Sequence, residues 1–82
     1  MKIKSLSTEN TDNLSSITEF FGNKQVIIDG CKCVINYTEG CIELALHDTG
    51  LRITGAELVM QSFLGEQAVI TGVIAGAEFF GV

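Results

Sequence analysis

The chain of 82 residues has no proline, no tryptophan, a single histidine and few charged side chains, 18% of positions. Without proline, no strand is interrupted for want of an N–H and no sheet edge is blocked by one. Apolar residues make up 46% of the chain, and with so little charge this argues against intrinsic disorder. Bases are scarcer still, five against ten acids for a net charge of −5, and Lys2, Lys4, Lys24, Lys32 and Arg52 are scattered. A nucleic-acid or anionic-membrane surface needs clustered positive charge, so both partners are disfavoured. No apolar run approaches the roughly 20 residues of a spanning helix, which argues against direct membrane insertion. The start, "MKIKSLSTENTDN", lacks the apolar stretch of a secretory signal, so a cytoplasmic location is expected. The glycines are dispersed and none opens a helix, so there is no phosphate loop.

What is present reads as strands. Nine glycines and many Val, Ile, Thr and Phe divide the chain into short runs separated by turn signals. In "CIELALHD", Ile42, Leu44 and Leu46 share one face, with Glu43, Ala45 and His47 opposite. Leu51 and Ile53 repeat the pattern, as do Leu58 with Met60 and Ala68 with Ile70. The sequence predicts one all-β domain over residues 16–82, a compact meander of about seven to eight short strands forming a sandwich or roll. Residues 1–15, polar and rich in Ser, Thr and Asn, read as a flexible tail. Leu14, Ile17 and Phe21 have helical spacing, but "ITEFF" and "KQVII" around Gly22-Asn23 favour a hairpin on a two-residue turn.

Three stretches, "IDGCKCVINY", "ITGAELVMQSF" and "ITGVIAGAEF", share an Ile-Asp/Thr-Gly start followed by an apolar strand ending in an aromatic. Their spacing is unequal, which argues against a solenoid. They read instead as strand–corner–strand units, with Gly30, Gly55 and Gly72 at backbone corners where positive φ or a bulge is needed.

The three cysteines, Cys31, Cys33 and Cys41, lie in "DGCKCVINYTEGC", and His47 follows. Three thiolates and an imidazole suffice for a closed zinc site. Structural zinc sites, however, usually pair their ligands as C-x2-C on tight turns. Cys31 and Cys33 would share one strand face, and His47 falls on the solvent face beside Glu43. The favoured reading is three reduced thiols with no metal and no cofactor; a zinc site and a redox or intermolecular disulfide remain as alternatives. A Cys–His nucleophile has no identifiable orienting group. Carboxylates such as Glu39 and Glu43 read as solvent contacts at strand edges and turns. No catalytic set emerges.

Apolar content is the more informative surplus. Ile74, Phe79 and Phe80, in the closing "VIAGAEFF", exceed what so small a core can hide. Either this strand is covered on both faces within a well-filled fold, or it carries a surface for self-association or a partner. The expectation is a homo-oligomer.

From Ile17 onward, "ITEFFGNKQVIID", "VINYTEGCIEL", a Gly before "LRITGAELVMQSF" and "VITGVIAGAEF" resemble the YabP/YqfC family of sporulation proteins, on the YqfC side. The shared pattern is a Gly-Asn hairpin, a strand entering Tyr-Thr-Glu, a Gly-x-x-x-Ile-x-Gly-x-x-Leu block and a closing Ile-x-Gly-x-Ile strand. The chain departs from it at "DGCKC", where YqfC-like chains carry a polar, partly basic stretch and only Lys32 remains. The resemblance implies a small cytoplasmic protein of endospore-forming Firmicutes, without enzymatic activity or cofactor, beside a membrane-protein partner. The expected function is therefore a structural or scaffolding module of sporulation. The alternative is a small regulatory or ligand-binding β module, with or without metal.

Overall fold

Residues 16–81 are described by a computed structural model, and the expected tail, residues 1–15, lies outside them. The described chain is all-β, without helix. Its strands are β1 (Ile17–Phe21), β2 (Gln25–Asp29), β3 (Cys31–Tyr37), β4 (Cys41–Leu46), β5 (Gly50–Leu64) and β6 (Gln67–Phe80). All neighbours are antiparallel and the order is β1-β2-β6-β5-β4-β3. Ile17–Phe21 is the hairpin strand and not a helical turn; Gly22 takes the left-handed φ of 62° that the turn requires. Its connection is three residues, Gly22 to Lys24, one more than the two expected.

The strand count corrects the sequence reading: six strands, not seven to eight, in one open sheet and not a sandwich. The discrepancy lies at two glycines. "LRIT" and "ELVMQSF" are one 15-residue strand that passes through Gly55, and "AVIT" and "VIAGAEFF" are one 14-residue strand that passes through Gly72. Local sequence cannot separate a glycine that ends a strand from one that bends it, because both exploit the missing Cβ.

These bends build the core. The β5–β6 ladder slips between Thr54 and Gly55 and again between Ala56 and Val59, as β-bulges do. A side chain at Gly55 would fall on the Val73 carbonyl. Gly72 has φ 137°, and a Cβ there would lie 2.6 Å from the Glu57 carbonyl oxygen. Beyond the bends each long strand changes partner: Gln67–Thr71 of β6 pair with β2, whereas Gly50–Thr54 of β5 pair with β4. The flanking turns hold the bends in place. Leu58 N donates to Glu39 O at 2.9 Å and Gly55 N to Gly40 O at 3.1 Å; Ile74 N donates to Asn23 O at 2.8 Å and Gly72 N to Lys24 O at 3.2 Å.

Register puts Leu44 beside Leu51 and Ile42 beside Ile53 in one half, and Val26 beside Ile70 and Ile28 beside Ala68 in the other. With Cys31, Leu46 and Leu58 they form one buried cluster. No second layer exists among the described residues to cover it, so the sheet must curl over its own apolar face. Each fully buried Leu or Ile contributes about 1.5–3 kcal/mol by transfer from water.

Candidate interaction surface

The closing strand carries the three side chains that the sequence singles out, and the structure separates them. Ile74 is half-buried and packs against the core. Phe80 is also half-buried. Its ring fills the space beside Gly50, where a Cβ would sit 2.5 Å from the ring carbons, and it lies 4.9 Å from the Arg52 guanidinium carbon. Phe79 alone of the three is largely in solvent, 62% exposed. It pairs in register with buried Leu51, so it stands in a core-facing row. Its exposure arises at the sheet margin, because β2 accompanies β6 only as far as Thr71.

Beyond that point β6 is laddered to β5 alone. Ile74 N is held by Asn23 O at 2.8 Å, and Phe80 O accepts the Thr49 hydroxyl at 2.8 Å from the β5 side. Among the described residues no second strand pairs with Ala75–Phe79, and the ladder to β5 bulges at Ala75; unpaired N–H and C=O groups on such an edge invite another strand. The one charge in this window is Glu78, and Arg52 engages it at 3.4 Å. Arg52 also donates to Glu43 at 2.7 Å, and the three residues stand abreast across β4, β5 and β6. The hydrogen bond to Glu43 above all, then the nearby carboxylate charges, raise the guanidinium pKa further; partial burial opposes them. Glu43 is thus an ion-pair partner and not merely a solvent contact.

Other apolar side chains are exposed at the remaining margins: Ile17, Phe20 and Phe21 on β1, and Phe63 and Leu64 at the tip of β5. The two margins differ in local order. β1 pairs regularly with β2 over its five residues, whereas β3 slips twice, between Cys31 and Cys33 and between Val34 and Asn36. Such slips twist an edge away from foreign strands.

The first of those slips corrects the cysteine geometry. Cys31 and Cys33 do not share a face: Cys31 is 0% exposed in the core, while Cys33 is exposed. Burial, then the neighbouring Cys33, push the Cys31 thiol from an ordinary 9.0 up to about 11, against a smaller opposing effect of the Cys33 backbone. All three cysteines are free thiols. Among the described residues no three His, Cys, Asp or Glu side chains gather as metal ligands. His47 is not simply solvated: its Nε2 lies 2.8 Å from Glu66 Oε1, and its backbone N–H donates to the Ser16 hydroxyl at 3.4 Å.

Gly30, at the β2–β3 corner, has φ 89°, and its N–H and that of Cys31 both donate to Glu66 O at 2.9 Å. Gly55 and Gly72 lie inside strands, at the bends. Sequence reasoning missed the Gly50–Phe80–Arg52 stack, because Thr49-Gly50 carries the signature of a turn. It also missed Tyr37, whose hydroxyl accepts the Met60 N–H at 2.9 Å. No helix among the described residues is long and apolar enough to cross a membrane. No family model matches the chain, and comparison with curated proteins and with solved structures likewise gave no match.

Proposed function

We propose that this protein is a non-enzymatic sporulation module that works by assembly: a small β scaffold that self-associates and docks to a membrane-protein partner. The observation that carries the assembly reading is the open β6 edge at Ala75–Phe79 with Phe79 exposed beside it. A strand edge supplies backbone hydrogen bonds, and an adjacent aromatic adds apolar area that becomes buried on contact. The sporulation role rests on the resemblance of Ile17 onward to the YabP/YqfC pattern, and with it go the cytoplasmic location and the absence of a cofactor. Among the described residues His47 is hydrogen-bonded to Glu66 and Glu43 is ion-paired with Arg52, and neither contact forms a nucleophile–base pair or a carboxylate dyad.

Light scattering on the purified protein tests assembly. The expected mass is a multiple of 8.8 kDa, and a strict monomer at high concentration overturns this reading. Deleting the gene from an endospore-forming host that carries it tests the role. Heat-resistant spore counts should fall while vegetative growth is unchanged; equal spore counts overturn it.

A further inference from the structure

We draw no further inference here: the strongest candidate, the apolar patch of Ile17 and Phe21 on β1, Ile27 on β2 and Val69 on β6, which alternation with the buried Val26, Ile28, Ala68 and Ile70 places together on the outer face of the sheet, carries none because nothing in the structure shows what covers it.

Discussion

The smallest decisions in this molecule are made at single atoms. Gly55 has no side chain because one would fall on the Val73 carbonyl, and Gly72 combines φ 137° with a neighbouring backbone that a Cβ would strike. G55V and G72A should each destabilise by roughly 1–3 kcal/mol or more in chemical denaturation. G81A, with open space around it, should be close to neutral. Unchanged midpoints for both G55V and G72A would show that the bends do not depend on these glycines. Cys31 supplies a second residue-scale prediction. Its folded thiol keeps its proton to higher pH than the unfolded one, 9.0 rising to about 11. A raised folded pKa gives stability that is whole below 9.0 and is lost as pH climbs toward 11, by up to roughly 2–3 kcal/mol. Unfolding free energies measured below and above this window should show the loss, and C31A should flatten it. Thiol reagents should modify exposed Cys33 well before Cys31.

At the scale of elements, the β5–β6 hairpin does most of the organising. Its two halves serve two partners, β4 on one side of the bend and β2 on the other, so one hairpin supplies both walls of the core. Arg52 reinforces the half that β2 does not reach. It binds Glu43 and Glu78 on the flanking strands and lies over the Phe80 ring. R52A should lower the denaturation midpoint, with part of the loss absent in high salt, since screening weakens ion pairs but not ring contact. R52K should recover only some of it, because an ammonium cannot reproduce the planar guanidinium. An R52A midpoint equal to the parent's would show that the triad is mere surface decoration. At the opposite pole, Glu66 receives the Gly30 and Cys31 N–H groups on its carbonyl and His47 on its carboxylate, which ties the β5–β6 turn to the β2–β3 corner.

Across the whole molecule, the balance is between a small core and an open margin. Eleven buried apolar residues hold the described chain together. L44A, at the centre of that set, should cost about 2–5 kcal/mol. Small domains have only about 5–15 kcal/mol in all, so partial unfolding near body temperature is expected of this variant. Domains of this size often gain their missing burial by oligomerising. F79D should therefore yield a folded monomer with a strand-dominated circular dichroism spectrum. F80D should instead unfold or strongly destabilise the chain, since that ring packs on Gly50. If F79D assembles like the parent, the interface lies elsewhere, with Ile17, Phe20 and Phe21 of β1 the next margin to examine.

The amino-acid sequence alone determined the class of structure and the inward set. Period-two alternation is a local property, so Ile42, Leu44 and Leu46, Leu51 and Ile53, and Ala68 and Ile70 were legible as core positions, as was the hairpin at Gly22-Asn23. Only tertiary structure decided how many strands there are, because a glycine's freedom serves a turn and a bend equally well until a neighbouring backbone arrives. It alone separated Cys31 from Cys33, since a bulge exists only relative to a partner strand. It alone decided which aromatic stays in water. Phe79 and Phe80 are adjacent and chemically identical, and they differ because Phe80 meets Gly50 and Arg52 whereas Phe79 stands where β2 has already ended. Such differences depend on which strand lies alongside, and residues far apart in the chain set that.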